Sequence, residues 1–136
     1  MRARFLLFLL PVALLLAGCG RGSTAPYTAA ATAPCLKAKG FTKVTTDPGK
    51  VGFIAGFADN GGVFAVAPGS KNTVTIAFAG DTAGAKGTED AFRAHASAFY
   101  KKHMSDIMQS KRNAVLVWTT APTQDQIDTA IACLAS

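Results

Sequence analysis

The N-terminal segment limits everything that follows it. Met1-Arg2-Ala3-Arg4 is a short basic head, and residues 5–17 are thirteen uninterrupted apolar residues with Pro11 near their middle. A membrane-spanning helix needs about 20 apolar residues, so this run is too short to cross a bilayer. Its length fits the hydrophobic region of a signal peptide, with positive charge ahead and small residues behind. The charge holds the N-terminus on the cytoplasmic side. The segment that folds is therefore the part exported after this run.

The run closes on Leu16-Ala17-Gly18-Cys19. This stretch resembles the processing site of bacterial lipoprotein precursors, a leucine, a small residue, glycine or alanine, then cysteine. The resemblance covers the first nineteen residues and leaves the mature domain without a recognised family. It implies a signal peptide of residues 1–18, a diacylglyceryl group on the Cys19 thiol and cleavage before Cys19. In some members the new amino group also carries an acyl chain, commonly palmitate. The expected location is the bacterial cell envelope, extracytoplasmic and lipid-anchored to the membrane. Two or three acyl chains anchor stably where one alone binds marginally. Release by an ordinary signal peptidase and retention as an uncleaved anchor are the rival readings.

Removing residues 1–18 takes away Arg2 and Arg4 and leaves 118 residues with 12 basic and 8 acidic side chains, a formal charge of +4. That charge gives weak attraction to anionic headgroups or wall polymers. The adjacent basic pairs Lys101-Lys102 and Lys111-Arg112 make no arginine-rich run, so nucleic acid is not an expected partner. With Cys19 committed to lipid, Cys35 and Cys133 remain, 98 residues apart. Outside the cytoplasm a disulfide persists, and the resemblance thereby implies a Cys35–Cys133 bridge. Two buried free thiols are the alternative.

Residues 19–32 read as a lipidated N-terminus and flexible tether of small and polar residues, although the alanines can also extend the first helix backwards. Residues 33–136 read as one domain. Pro34 suits the first position of a helix carrying Cys35, and Gly40 suits its C-cap. Residues 42–46 form an edge strand. Residues 51–57 read either as a glycine-flanked apolar loop or as a bulged strand. Residues 63–67 and 73–79 form an antiparallel hairpin, the second with alternating Val74, Ile76 and Phe78. Residues 80–87 read as a loop. Thr88 caps a long helix to about Gln109 whose stripe is Phe92, Ala96, Phe99, His103 and Ile107. Residues 114–118 are apolar on both faces and form a central strand. Thr123 with Gln126 is a capping box for a last amphipathic helix bearing Cys133.

The expected class is α+β: a small two-layer domain, an antiparallel sheet of three to five strands with about three helices packed on one face. Its N- and C-terminal helices are bridged by the disulfide. The sequence has no HExxH, GxSxG, GxGxxG or GxxxxGK pattern, so no catalytic residue, cofactor or metal is assigned. His103, Met104 and Met108 loosely suggest soft-ligand copper chemistry, but core methionines filling a helix–sheet gap are commoner. Phe53, Phe57 and Phe64 lie in a glycine-rich region and either line an apolar cleft or belong to the core. The expected role is a noncatalytic binding or interaction domain. Its partners are the membrane through Cys19 and an envelope protein, wall polymer or small apolar ligand. A small extracytoplasmic enzyme using His95 or His103 with a carboxylate is the second reading, and a purely structural envelope component the third.

Overall fold

Five strands pair antiparallel in the order β1-β2-β3-β5-β4. The computed structural model describes residues 24–136, so the signal segment, the Leu16-Ala17-Gly18-Cys19 box and the start of the tether lie outside the described residues. The elements are α1 (Ala29–Ala38), β1 (Thr42–Thr45), a 3₁₀ turn (Phe53–Phe57), β2 (Gly62–Val66) and β3 (Thr73–Phe78). They continue with α2 (Thr82–His95), α3 (Ala98–Lys102), α4 (Met104–Ile107), β4 (Met108–Lys111), β5 (Ala114–Trp118) and α5 (Gln124–Ala132). The α+β class, the antiparallel sheet, the β2–β3 hairpin, the edge position of β1 and the interior position of β5 are as expected.

The bridge joins Cys35 to Cys133 with the Cα atoms 5.3 Å apart. It ties α1 to the C-terminal end of α5. The same seam is sewn by backbone: Thr28 N–H donates to the Ala135 carbonyl at 2.8 Å, and Ala135 N–H to the Thr32 hydroxyl at 3.3 Å.

Register decides how each face of the sheet is used. Val63, Ile76 and Leu116 sit side by side, next to Ala65, Val74 and Trp118, and all six are fully buried. Phe64, Thr75, Val117 and Met108 share the opposite face. The 3₁₀ turn and α2 lie over that second face, while α1 and α5 close the first, α1 over β1 and β2. The helical cover is thus shared between the two faces rather than confined to one.

The departures from the sequence reading have local physical causes. Helix α1 begins at Ala29, so of the two readings of residues 29–32 the backward extension of the helix holds and the tether does not, and Pro34 lies inside. Thr28 caps it, its hydroxyl accepting from Ala31 N–H, and Thr32 is fully buried. Packing against the C-terminus outweighs the proline's preference for a first turn. Residues 53–57 form the 3₁₀ turn and pair with no strand. Gly52 (φ +94°) lets the chain lie on the sheet, where a Cβ would stand 3.1 Å from Thr75 Oγ1. Gly62 answers from below: a Cβ there would lie 2.6 Å from the Ile76 carbonyl oxygen and 2.8 Å from Ala55 Cβ. Gly62→Ala must move backbone, and is expected to cost about 1–3 kcal/mol by urea denaturation. An unchanged midpoint would show that the 3₁₀ turn does not press on β2.

Residues 82–87 are helix rather than loop, because Asp81 and not Thr88 is the cap. The Asp81 carboxylate accepts from Gly84 N–H at 2.7 Å. Thr88 is buried mid-helix, its hydroxyl 3.0 Å from the Gly84 carbonyl and 3.2 Å from that of Phe57. The expected long helix breaks after His95 into α3 and α4, and residues 108–111 leave it for the sheet. β5 offers them a row of backbone partners from Ala114 to Val117, and those nonlocal hydrogen bonds outweigh helical continuation. Met108 is therefore the first residue of a strand.

Candidate functional site

After the break at His95, α3 brings Tyr100 beside Phe64, Thr75 and Val117 on the second face of the sheet and leaves Phe99 in solvent. Rings then touch in a continuous run of seven, from His95 through Phe57, Phe53, Phe92, Tyr100 and Phe99 to His103. His95 stacks on Phe57 with centroids 5.5 Å apart and planes 18° from parallel. Phe57 meets Phe53 edge-on at 5.0 Å, and Phe99 lies 5.1 Å from His103. Such pairs add roughly 0.5–1.5 kcal/mol beyond buried area, enough to hold the ring positions. Phe53 is nevertheless 53% exposed and Phe99 60% exposed.

Two clefts open along this run. The first, about 260 Å3, is lined by Phe53, Phe64, Phe92, Tyr100, Thr75 and Val117 with Lys50 at its edge. The second, also about 260 Å3, is lined by Phe99, His103, Asp106, Ile107, Thr119, Thr120 and Ala121. Thr119 borders both. Lys50 is paired with Asp47 at 3.1 Å, so the first cleft has little unspent charge. The structure thus brings two of the three aromatic candidates, Phe53 and Phe64, into one cleft. Phe57 stands behind Phe53 as a half-buried prop. The sequence reading missed Phe92, Phe99 and Tyr100 as site residues because they fit a helical core stripe.

Two other hollows are larger, both beside the β2–β3 turn. One of about 550 Å3 runs between the β2–β3 turn and α5. Three of its polar residues are engaged with one another: Gln126 Nε2 donates to the Ser70 hydroxyl at 3.2 Å, and Thr123 N–H to Gln126 Oε1 at 3.1 Å as part of the capping box.

The histidines are distributed differently from the sequence stripe. His103 is a half-exposed residue between α3 and α4, not a core residue, and its Nδ1 lies 3.8 Å from Asp106 Oδ2. That distance is beyond hydrogen-bond range. The neighbouring Thr119 hydroxyl donates to Asn72 Oδ1 at 2.9 Å, which leaves its proton committed to the loop. His95 forms no ion pair among the described residues. Met104 and Met108 are both buried, one on α4 and the other on β4, rather than an i,i+4 pair on one helix. No group of three or more His, Cys, Asp or Glu side chains that could hold a metal is gathered among the described residues.

Fold and site together define a small disulfide-bridged α+β domain bearing a shallow aromatic cleft. No protein family, curated protein or solved structure matches this chain.

Proposed function

We propose that this chain is a lipid-anchored protein of the bacterial cell envelope whose domain binds a partner without catalysis, through the aromatic cleft. The observation that carries the reading is the seven-ring run with Phe53 and Phe99 left in solvent. Isolated exposed apolar residues are ordinary, whereas a joined set marks an interaction surface. The Leu16-Ala17-Gly18-Cys19 box supports the anchor, and the Cys35–Cys133 bridge supports an oxidising compartment.

Cleft size selects among the partners. Small-molecule pockets run to roughly 300–1,000 Å3, and each aromatic cleft holds about 260 Å3 in an open setting. Such a cleft receives one or two apolar side chains of an envelope protein better than it encloses a whole ligand.

The test is affinity capture from detergent-solubilised envelope with the native protein and with Phe53→Ser/Phe99→Ser. The variant breaks four ring contacts, each worth roughly 0.5–1.5 kcal/mol, so far-UV circular dichroism and a urea midpoint first confirm that it is folded. The expected outcome is a partner captured by the native form and lost from the variant. Retention of the same partner by both would remove the cleft as the binding surface. Intact mass in the same sample reads the anchor: a chain starting at Cys19 without acyl groups would remove it.

A second reading rests on one observation, the presence of His103 and Asp106 together at a cleft rim. Turnover of a p-nitrophenyl ester by the purified chain, abolished in His103→Gln, would establish that reading in place of the first.

A further inference from the structure

The described part of the tether does not hang free; it is clamped to one end of the sheet. Tyr27 N–H donates to Asn113 Oδ1 at 2.8 Å, and Asn113 Nδ2 donates to the carbonyls of Tyr27 and Ala79, each at 2.9 Å. The Arg112 guanidinium lies 4.4 Å over the Tyr27 ring and donates to the Ala25 carbonyl. Asn113 is buried, and Arg112 holds a left-handed backbone (φ +55°) in the β4–β5 turn. The chain therefore leaves the domain beside Gly80, Thr82 and Asn113, with which Thr24 lines one hollow.

The aromatic clefts are at the other end. β5 runs away from Asn113 to reach Val117 and Thr119, and β3 runs from Thr73 at the cleft back to Phe78 at the clamp. Helix α2 spans the same distance, from Thr82 to His95; its 14 residues measure about 21 Å. From Cys19 to Thr24 the chain has five Cα steps, a reach of about 18 Å at full extension. That reach is shorter than α2 alone, and the β2–β3 turn and the 119–123 loop extend the cleft end further.

We infer that the clamp orients the domain on its membrane: the end formed by residues 80–82 and the β4–β5 turn faces the anchoring bilayer, and the aromatic clefts face away from it. An inverted domain would need a longer tether. The occupant of the clefts then comes from the space beyond the membrane, and the bilayer that holds Cys19 is not what covers Phe53 and Phe99. This inference rests on the Cys19 anchor proposed above.

The orientation is tested by fluorescence quenching on vesicles. With Cys19 acylated and Cys35 bridged to Cys133, an added cysteine is the one free thiol of the chain. Lys111→Cys labels the clamp end and Lys71→Cys the cleft end, both at exposed lysines. Each acylated protein, purified from membranes, is reconstituted into phosphatidylcholine vesicles carrying a headgroup quencher. Quenching several-fold stronger at position 111 than at 71 is expected. Asn113→Ala with Arg112→Gly removes the side-chain bonds to Tyr27 and Ala25 and should bring the two values together, with far-UV circular dichroism checking that the domain stays folded; glycine adopts the left-handed conformation at 112 without cost, and the Ala79 carbonyl keeps its bond from Asn60. Acylated protein that floats with the vesicles but quenches equally at both positions, or more at 71, overturns the orientation alone. Protein that lacks acyl mass at Cys19 and stays with the soluble fraction overturns the anchor, and the orientation with it.

Discussion

Cys35→Ala with Cys133→Ala is expected to lower the unfolding free energy by about 3–5 kcal/mol. The bridge closes a loop of 98 residues. In the chain-entropy estimate a loop of about 100 residues restricts the unfolded chain by roughly 4.7 kcal/mol. A small domain has only about 5–15 kcal/mol in total, so the bridge separates a robust fold from a marginal one. The seam it ties has other bonds, Thr28 to Ala135 and Ala135 to Thr32. These are ordinary hydrogen bonds worth about 0.5–1.5 kcal/mol each, and they hold the ends only while the chain is folded. Urea denaturation measures the effect. Reductant added to the native protein should move its midpoint to that of the double variant, and reductant should leave the variant unmoved. A native midpoint indifferent to reductant would show that the α1–α5 seam holds without the covalent link.

Trp118→Ala is expected to cost about 3–5 kcal/mol. Trp118 is the one tryptophan of the chain, is fully buried, and ends β5 on the face closed by α1 and α5. Its indole N–H donates to Gln109 Oε1 on β4 at 2.8 Å, so one side chain supports both the core and the edge-strand pairing. Two losses are therefore combined, a large cavity and a stranded acceptor. Trp118→Phe separates them: most of the volume stays, and the missing N–H should cost about 1–3 kcal/mol. Far-UV circular dichroism during urea unfolding reads both variants, since tryptophan emission disappears with the residue. Equal losses for alanine and phenylalanine would mean that the hydrogen bond outweighs the packing.

The two effects differ in how far the sequence announced them. The cysteine pair emerged by subtraction once Cys19 was assigned to lipid, and the structure forms that bridge. Trp118 was legible as part of an interior strand, because Ala114-Val115-Leu116-Val117-Trp118 is apolar on both faces. Its partner was not. Gln109 read as the end of a helix, and only the pairing of residues 108–111 with β5 makes it a strand residue opposite Leu116.

The candidate site divides the same way. Phe53, Phe57 and Phe64 stood out because aromatic residues in a glycine-rich stretch have little regular structure to hide in. Phe92, Phe99 and Tyr100 did not, since helical spacing places them in or beside a core stripe, and that stripe is real as far as Ala96, buried like Phe92. It fails at Phe99, beyond the helix break at Ala96. No proline or glycine marks that break in residues 88–109. What β5 does explain is the end of the helical run, since it pairs with residues 108–111 from outside that segment.

Local chemistry by itself determined the β2–β3 hairpin, the Thr123–Gln126 capping box, the interior strand and the choice of cysteines. Each depends on residues a few positions apart or on a count. Tertiary contact decided that α1 reaches back to Ala29 against the C-terminus and that residues 53–57 lie on the sheet instead of pairing within it. It also decided that the helix after His95 gives way to a fifth strand. In every one of these, backbone hydrogen-bonding groups or close-packed glycines meet partners far away in sequence, and the energy of that meeting exceeds the local preference it displaces.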